Sequence, residues 1–422
     1  MLTAIVGINW GDEGKGRMVD LLSEGYDIIC RYQGGNNAGH TVVNEKGKFI
    51  LNLLPSGILR DGVVNIMGNG MVIDLEHLCG EIEKLSEKGV IVTPENLKIS
   101  EKAFICMPYH KQQDILEEDR LGDLKYGSTR RGISPVYGDK YMKKGIRMLD
   151  LFSSSLEQKL KDILEWKSMV LKGYGAENAK VSDILSWLKK FGDKLLPFIA
   201  DTTDYLNKSA NAGKNVLFEA QLGALRDIDY GIYPYTTSSQ TLAAYAPIGA
   251  GIPGKKINTV IGVMKAYSSC VGEGPFAVEM FGDEGSALRE SGAEYGAATG
   301  RPRRVGAFDI PASRYGVMTQ GADEIALTKL DVLSFMDKIP VCTAYEIDGE
   351  RNAQFPSGDR LNRVKPVYEY MEGFKTDISK CRKAGDLPEA AVKYIRFIEN
   401  AVGCPIRYVS VGAGRDEYLK MA

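Results

Sequence analysis

Short apolar runs rich in β-branched residues recur along the chain, and amphipathic stretches of helical period separate them. A continuous apolar run of this length indicates a strand buried on both faces, which is typical of a parallel sheet. Six such runs lie at 3–8, 27–30, 63–66, 215–218, 259–263 and 408–411. Two intervening stretches place apolar residues on one helix face, at Leu75, Leu78, Ile82 and Leu85 and at Leu156, Leu160 and Ile163. The alternation predicts an α/β fold built on a large, mainly parallel central sheet flanked by helices.

The chain has 422 residues and contains no internal repeat, low-complexity segment or charge-rich linker. We therefore expect one continuous domain over 1–422. The 53 Lys and Arg residues nearly balance the 55 Asp and Glu residues, which gives a net charge of -2. No overall field then attracts nucleic acid or an anionic membrane, so any anionic ligand must be held by a local cluster.

The seven cysteines are scattered, odd in number and without C-x-x-C spacing. This pattern argues against a disulfide framework and against a zinc site, and it fits a reducing compartment. No segment approaches the roughly 20 apolar residues that a membrane span needs. The sequence predicts a cytoplasmic protein without nucleic-acid or membrane partners.

A glycine-rich loop with two adjacent carboxylates, G-D-E-G-K-G-R at 11–17, follows the first apolar run. A loop between a strand and a helix gathers backbone N–H groups and a helix N-terminus, which favours phosphate binding. The loop departs from the usual P-loop pattern because Gly16, rather than Ser or Thr, follows Lys15. Two interpretations stay open: a P-loop-like phosphate site, and an ordinary turn with Asp12 or Glu13 as a helix cap.

A second polar glycine stretch, G-G-N-N-A-G-H-T at 34–41, follows the second apolar run. The alternative to a functional loop is a glycine-rich turn with a structural histidine. His40 is one of only three histidines, and it lies among loop polar groups rather than on a helix face. We therefore favour a functional role for His40.

Three further stretches carry polar chemistry. Residues 218–239 crowd acids, aromatics and hydroxyls together without a structural period, which favours a binding loop. Residues 299–304, T-G-R-P-R-R, place three guanidinium groups around a turn, an arrangement that suits carboxylate or phosphate binding. Residues 326–331, A-L-T-K-L-D, resemble a strand end with a K-x-D pair, which is either a surface ion pair or a pair that binds a guanine edge.

These blocks, in this order and spacing, resemble adenylosuccinate synthetases, the ligases that join aspartate to IMP using GTP. The resemblance rests on W-G-D-E-G-K-G, G-G-N-N-A-G-H-T, D-I-D-Y-G-I-Y-P-Y-T-T-S-S and T-K-L-D, and weaker similarity runs through nearly the whole chain. It implies a single α/β domain with helical and loop insertions, acting as a homodimer. It also implies transfer of the GTP γ-phosphoryl group to the purine 6-oxygen, followed by displacement of phosphate by the aspartate amine.

The resemblance assigns the chemical steps to a few side chains. Asp12 would remove the purine N1 proton and ligate Mg2+. The Gly39 carbonyl would be the second metal ligand. His40 would be the catalytic acid that stabilises charge developing on the 6-oxygen.

The remaining site residues follow from the same resemblance. GTP binding is expected at Gly11, Glu13, Gly14, Lys15, Gly16, Arg17, Thr41, Arg303, Lys329, Leu330, Asp331, Ser410, Val411 and Gly412. IMP binding is expected at Asp12, Glu13, Gly14, Lys15, Asn37, Ala38, Gly39, His40, Thr129, Lys143, Leu222, Thr237 and Arg301. Binding of the substrate L-aspartate is expected at Ala297, Ala298, Thr299, Gly300, Arg301, Pro302 and Arg303.

Several positions depart from the family pattern, among them Asn9, Arg130, Ser134, Ala298 and Pro302, and two further departures concern side chains expected to contact the nucleotide. A gapless match places Leu222 where the family has a catalytic glutamine that bonds the nucleotide, and Gln221 takes that place only if the loop is shifted by one residue. A lost buried hydrogen bond costs roughly 1–3 kcal/mol. Lys143 stands where an arginine usually crosses the dimer interface, and lysine lacks the bidentate guanidinium. These departures predict a divergent member of the family.

The expected function is GTP-dependent ligation of L-aspartate to IMP through 6-phosphoryl-IMP, giving adenylosuccinate, GDP and phosphate. One alternative is the same chemistry on another purine monophosphate, such as a 2-aminopurine nucleotide, because the glutamine position is altered. A second alternative, from another class, is a nucleotide-binding regulator without turnover.

Overall fold

The structure, a computed structural model, describes residues 1–44, 47–296, 300 and 302–421. Its strands are β1 (Leu2–Gly7), β2 (Ile28–Arg31), β3 (His40–Asn44), β4 (Gly47–Leu51), β5 (Val64–Met67), β6 (Val72–Ile73), β7 (Leu97–Ser100), β8 (Phe104–Ile105), β9 (Ile199–Ala200), β10 (Val216–Gly223), β11 (Thr259–Lys265), β12 (Ser268–Cys270), β13 (Arg304–Gly306), β14 (Phe308–Asp309), β15 (Glu324–Thr328), β16 (Lys338–Ile347), β17 (Glu350–Asn352), β18 (Lys365–Glu372), β19 (Ile406–Ser410) and β20 (Tyr418–Lys420).

The α-helices between these strands range from one short turn to five turns. They are α1 (Lys15–Leu22), α2 (Leu75–Glu87), α3 (Pro108–Leu121), α4 (Ile133–Tyr141), α5 (Leu156–Gly173), α6 (Val181–Leu195), α7 (Thr202–Asn211), α8 (Ala246–Ala250), α9 (Gly282–Ser291), α10 (Ile310–Gln320) and α11 (Glu389–Val402).

Ten strands form the central sheet, in the order β20-β19-β15-β11-β1-β10-β2-β5-β7-β9. Neighbouring strands are parallel except for β20, which runs antiparallel to β19 at one edge. Strand β1 lies near the centre, and its last residue, Gly7, pairs with Gly223 on one side and Val263 on the other. The predicted α/β class with a mainly parallel sheet is therefore confirmed.

The carboxyl ends of the parallel strands bring distant stretches of sequence to one edge of the sheet. The segments that follow β1, β2, β10, β11, β15 and β19 meet there, because parallel strands end on the same side. These segments include most of the polar glycine stretches singled out in the sequence. The hairpin of β3 and β4 begins at His40 and lies beside this edge, since β3 packs against α1.

Two large apolar clusters support the two halves of the sheet. One packs the predicted helix faces of α2 and α5, together with α6, against β5 and β7. The other packs α10 and α11 against β15 and β19. All six predicted strands begin within two residues of an observed strand. The fourth extends further than predicted, to Gly223, so part of the expected binding loop is a buried strand.

No helix within the described part of the chain is long and apolar enough to cross a membrane.

Candidate active site

The loop after β1 is shaped by glycines and closed by the carboxylate of Glu13. Gly11 and Gly14 adopt left-handed φ angles of 103° and 93°. Glu13 Oε1 accepts hydrogen bonds from the N–H groups of Asn9 at 3.1 Å and Gly11 at 2.7 Å. Helix α1 begins at Lys15 with Gly14 as its N-cap, and no side chain caps it. The helix-cap interpretation of Asp12 and Glu13 is therefore wrong, because Glu13 bonds backward to the loop.

Lys15 is held inside this loop. Its Nζ lies 3.0 Å from Glu13 Oε2 and donates to the Gly11 carbonyl at 2.9 Å. The Lys15 side chain is only 2% exposed, so its charge is largely removed from solvent. A buried lysine beside a left-handed glycine loop and a helix N-terminus is an arrangement that binds phosphate.

Asp12 points away from the loop, toward basic and hydroxyl groups from β11 and β12. Its Oδ2 accepts hydrogen bonds from Ser269 Oγ at 2.6 Å and Lys265 Nζ at 3.2 Å. Arg303 Nη1 lies 3.6 Å from the same oxygen. The two adjacent carboxylates therefore have different surroundings: Glu13 is bound by its own loop, and Asp12 faces the carboxyl edge of the sheet.

His40 forms a buried pair with Glu219 of β10. His40 Nδ1 donates to Glu219 Oε1 at 2.5 Å, and Glu219 also accepts from the N–H and Oγ of Ser56, each at 2.8 Å. Burial lowers the pKa of the His40 imidazole, although the Glu219 carboxylate acts in the opposite direction. The resting ring is then neutral, with its proton on Nδ1 and with Nε2 as an acceptor.

The first turn of α1 packs directly against His40. A Cβ placed on Gly16 would lie 2.7 Å from the His40 Cβ. Glycine at this position therefore lets the histidine approach the phosphate-binding loop, and any larger residue would separate the two. This packing explains why glycine replaces the usual P-loop Ser or Thr after Lys15.

Gln221 and Leu222 lie on different sides of β10. The Gln221 side chain is fully buried, and its Nε2 donates to the Gly35 carbonyl at 2.8 Å. Leu222 has a positive φ of 58° and lies against the first loop, since a Cβ on Gly11 would meet the Leu222 Cα at 2.5 Å. Gln221 is thus bound within the fold, and Leu222 is the residue of this pair that borders the loop carrying Asp12.

A second group of predicted residues surrounds Arg17. Its guanidinium donates to Ser410 Oγ at 2.5 Å, to the Gly412 carbonyl, and to the Gly414 carbonyl at 2.6 Å. Burial lowers the pKa of Arg17, and the nearby Asp331 and Glu417 carboxylates oppose that change. Arg17 thereby joins the helix of the phosphate loop to the segment after β19.

Asp331 has an unpaired carboxylate oxygen beside this segment. Its Oδ1 is buried without a hydrogen-bond partner among the described residues. Burial raises the pKa of Asp331, with Lys329 and Arg17 acting in the opposite direction. A buried acceptor of this kind is costly unless a ligand donates to it, and the N1–H and 2-amino groups of guanine are suitable donors.

Other predicted residues lie on loops around the edge. Asn37 accepts from the Gly35 N–H at 3.2 Å, and Asn52 Nδ2 bonds the Ala38 carbonyl at 2.9 Å. Thr237 is buried, and its neighbour Ser238 bonds Ser134 at 2.7 Å, which joins this loop to the start of α4. The segment before α4 carries the exposed Thr129, and Lys143 is exposed just after that helix.

The expected aspartate-binding segment is only partly described. Ala297, Ala298, Thr299 and Arg301 lie outside the described residues. Gly300 and Pro302 are described, and Arg303 Nη1 donates to Glu294 Oε2 at 2.7 Å. No group of three or more His, Cys, Asp or Glu side chains suited to a metal ion occurs in the ranges that the structure describes.

Sequence reasoning missed four polar residues of this site. They are Lys265, Ser269 and Glu294, which surround Asp12 and its neighbours, and Glu219, which holds His40. Lys265 had a detectable signal, because it is a charged residue at the end of a buried apolar run. Glu294 had none, since it becomes part of the site only through tertiary contacts.

A parallel-sheet fold that gathers a phosphate loop, a carboxylate and an imidazole at its carboxyl edge belongs to the class of nucleotide-dependent α/β enzymes.

A family model described as adenylosuccinate synthetase matches residues 4–419. An adenylosuccinate synthetase from Caldanaerobacter subterraneus subsp. tengcongensis is 45% identical over 421 residues, covering 99% of this chain and 98% of the relative. One from Pelobacter propionicus is 45% identical over 419 residues, covering 99% and 97%.

Solved structures agree with the family match. The fully ligated adenylosuccinate synthetase from Plasmodium falciparum superposes with a TM-score of 0.93 at 38% identity, covering 100% of both chains. The succinoaminodeoxyadenylate synthetase of cyanophage S-2L, bound to dGMP and dATP as an energy donor, gives a TM-score of 0.62 at 19% identity, covering 99% of this chain and 94% of that one. The second likeness shows the fold alone.

The chain belongs to the adenylosuccinate synthetase family. Full-length similarity to these synthetases assigns it their ligase activity in purine biosynthesis, with GTP binding. Identity of 45% over 421 residues does not strongly indicate a divergent member, so the departures at Leu222 and Lys143 are treated as local changes.

Proposed function

We propose that this chain joins L-aspartate to IMP at the expense of GTP, through 6-phosphoryl-IMP, and releases adenylosuccinate, GDP and phosphate. The observation that carries this proposal is the arrangement of Asp12, Lys15 and His40, which meet at one edge of the sheet with different surroundings. Such a reaction needs a lysine that binds phosphate, a carboxylate that is not bound by its own loop, and a buried imidazole.

Asp12 acts first, on the purine N1 proton. Loss of this proton places negative charge on the 6-oxygen, which then attacks the γ-phosphorus of GTP while the bond to the β-phosphate oxygen breaks. The aspartate amine next attacks C6, and the 6-oxygen leaves with the phosphoryl group as inorganic phosphate. Ser269 and Lys265, which bond Asp12 Oδ2, orient the carboxylate for this role.

His40 stabilises the charge on the 6-oxygen. In the resting state its Nδ1 donates to Glu219. Negative charge developing beside Nε2 favours uptake of a second proton from solvent water by the ring, and the Glu219 carboxylate balances the resulting positive charge. His40 then donates a hydrogen bond to the 6-oxygen in both steps.

GTP lies along the loop of β1 and the segments after β15 and β19. Lys15 and the N–H groups of 11–17 bind its phosphates, with Thr41 and Arg303 adding contacts. Asp331 accepts from the guanine edge, while the stem of Lys329 covers the base. Leu330 and the segment 410–412, which Arg17 holds in place, complete the base site.

Mg2+ fits the donor set at the phosphate end of this site. The carboxylate of Asp12 and the carbonyl of Gly39 are hard oxygen donors, and Mg2+ is typically held by one or two carboxylates together with substrate phosphates. Bound there with GTP, Mg2+ would neutralise charge on the phosphates.

IMP and L-aspartate occupy the remaining loops. Asn37, Ala38, Thr129 and Thr237 bind the monophosphate and ribose side of IMP. Residues 297–303, the aspartate segment, bind both IMP and L-aspartate. Arg301 and Arg303 form ion pairs with the carboxylates of L-aspartate.

Residues 1–422 act as one domain in a cytoplasmic homodimer, in which Lys143 reaches the IMP phosphate of the partner subunit.

A second candidate is the same reaction on another purine monophosphate, such as a 2-aminopurine nucleotide. The observation that favours it is Leu222, an apolar side chain beside the Asp12 loop where a nucleotide-binding glutamine is expected. A panel of purine monophosphates at equal concentration distinguishes the two candidates, and a clear preference for IMP removes this one.

The test mixes protein, Mg2+, GTP, IMP and aspartate and follows GDP and adenylosuccinate by chromatography. We expect adenylosuccinate only when all three substrates are present, and we expect Asp12→Ala to abolish it. GDP formation at the same rate without IMP would overturn the proposed coupling. A folded, GTP-binding protein without any turnover would instead favour the regulator alternative.

A further inference from the structure

Glu294 is a buried carboxylate that binds cationic side chains from three separate elements. It follows α9 and is fully shielded from solvent. Its Oε1 accepts from Lys265 Nζ at 2.8 Å and Lys329 Nζ at 3.0 Å, and its Oε2 accepts from Arg303 Nη1 at 2.7 Å. Tyr267 donates its hydroxyl to the same carboxylate.

Each of these cations comes from a different part of the site. Lys265 ends β11 and bonds Asp12, Lys329 follows β15 beside the base segment, and Arg303 precedes β13 in the aspartate segment. The backbone adds to the connection, because the Arg303 N–H donates to the Glu294 carbonyl at 2.8 Å. One carboxylate therefore lies where three binding regions meet.

The charge balance shows that Glu294 is ionised in this setting. Burial acts to raise the pKa of its carboxyl, but Lys265, Lys329 and Arg303 outweigh burial and hold the pKa below its usual range. A buried carboxylate with several charge-assisted bonds fixes its partners far more firmly than an exposed ion pair does. Arg303 keeps capacity for a ligand, because its Nε has no hydrogen-bond partner within the described ranges.

We propose that Glu294 is a positioning residue. It holds Lys329, which binds GTP, and Arg303, which binds aspartate. Because it also bonds Lys265, which bonds Asp12, it fixes the positions of both cations relative to Asp12. The inference rests on the proposed function, since it takes the substrate roles of Lys329 and Arg303 from it. Glu294 touches no substrate, and IMP binding through Thr129, Asn37 and Thr237 lies outside its contacts.

The proposal predicts a selective kinetic defect in Glu294→Gln. Glutamine keeps the shape but cannot accept from all three cations, so the KM values for GTP and for aspartate should each rise about tenfold or more. The KM for IMP should change less than about twofold, because the contacts of Asn37, Thr129 and Thr237 with its phosphate and ribose side are not released. Glu294→Asp retains the charge and should restore part of the loss.

Asp309→Asn is the matched control. Asp309 is also a buried carboxylate, but it bonds Tyr345 and the Ala312 N–H and contacts none of the three cations. We expect the control to leave all three KM values unchanged, whatever it does to the melting temperature.

The outcomes separate the two proposals. A wild-type protein that makes no adenylosuccinate would refute the proposed function. An active wild type whose Glu294→Gln variant keeps normal KM values for GTP and aspartate, or loses affinity for all three substrates equally, would refute the positioning role of Glu294. If Glu294→Gln fails to fold, Glu294→Asp carries the same comparison, and unchanged KM values there would also contradict the role.

Discussion

At the scale of single residues, the partners of two neighbouring carboxylates determine their different roles. Glu13 receives two backbone N–H groups and the Lys15 ammonium, so its charge is used to close the loop. Asp12 accepts hydrogen bonds from side chains of β11 and β12. A carboxylate held by side-chain donors can exchange them for a substrate or a metal ion, whereas one held by backbone N–H groups cannot without opening the loop.

Asp309 provides a pH prediction at the same scale. Burial raises the pKa of its carboxyl to about 6, while Tyr345 and the Ala312 N–H act in the opposite direction. The native state therefore binds a proton between about pH 4 and 6 that the unfolded state, with a pKa near 3.9, does not bind. The stabilisation that protonated Asp309 gives to the native state is fully present at low pH and is lost as the pH rises through about 6.

Replacing Asp309 by Asn should remove this dependence, because the amide oxygen can still accept from Ala312. We expect the free energy of unfolding of the wild type, relative to Asp309→Asn, to fall by roughly 1–3 kcal/mol between about pH 4.5 and 7. Urea unfolding at several pH values measures the difference. Parallel pH profiles for the two proteins would contradict the expectation.

Sequence motifs predicted the individual residues of the site unevenly. The glycine loops pointed to Asp12, Lys15 and His40 as candidates, and the three residues lie at the carboxyl edge of the sheet. Lys265 and Glu294 were missed. The signal of Lys265 was a single charged residue at the end of a buried apolar run, and Glu294, which follows a helix, had no pattern of its own. Their proximity is a tertiary contact, in which Lys265 at the end of β11 donates to Glu294 after α9 at 2.8 Å.

At the scale of secondary-structure elements, helix α3 holds the loop that carries Thr129. Glu118 Oε1 accepts from the N–H groups of Gly127 at 2.7 Å and Ser128 at 2.9 Å. Asp114, one turn earlier on the helix, accepts from Ser128 Oγ at 2.7 Å and from the Gly132 N–H at 2.8 Å. Two carboxylates of one helix thus fix both ends of the segment 127–132.

Glu118→Ala should loosen this loop and weaken IMP binding. Two backbone N–H groups lose their acceptor, and we expect the KM for IMP to rise about fivefold while the KM for GTP stays within about twofold. Glu117→Ala on the same helix is the control, because Glu117 is partly exposed and bonds Arg120 and Tyr174 instead. Steady-state kinetics of both variants make the comparison, and equal effects would argue against the role of α3.

Whether a strand could be predicted from the sequence depended on its length and its burial. Strands of the sheet centre were predicted, since a strand buried on both faces is a continuous apolar run. The edge strands β9 and β20 were missed because they are two and three residues long and have no room for a pattern. Helix α1 begins at Lys15, directly after the glycine loop, with Gly14 as its N-cap.

At the scale of the whole molecule, the surface around Lys143 is suited to a partner subunit. Lys143 follows two exposed apolar side chains, Tyr141 at 61% and Met142 at 51% exposure. Exposed apolar residues beside a functional cation are typical of an interface that contributes to a site. The proposed homodimer would cover them and place Lys143 near the IMP phosphate bound to the partner subunit.

Mixed dimers test this arrangement. Asp12→Ala and Lys143→Leu proteins should each be inactive or nearly so, but a heterodimer of the two contains one intact site. Equal mixing should therefore restore about a quarter of the wild-type activity. Native mass spectrometry verifies subunit exchange, and verified heterodimers without activity would refute the contribution of Lys143 across the interface.

The central claim is that the 6-oxygen of IMP becomes the leaving group by accepting the γ-phosphoryl of GTP. The most direct measurement is a turnover with IMP labelled with 18O at the 6-position, followed by mass spectrometry of the released phosphate. We expect the label to move into inorganic phosphate as adenylosuccinate forms. Unlabelled phosphate accompanying adenylosuccinate would contradict it.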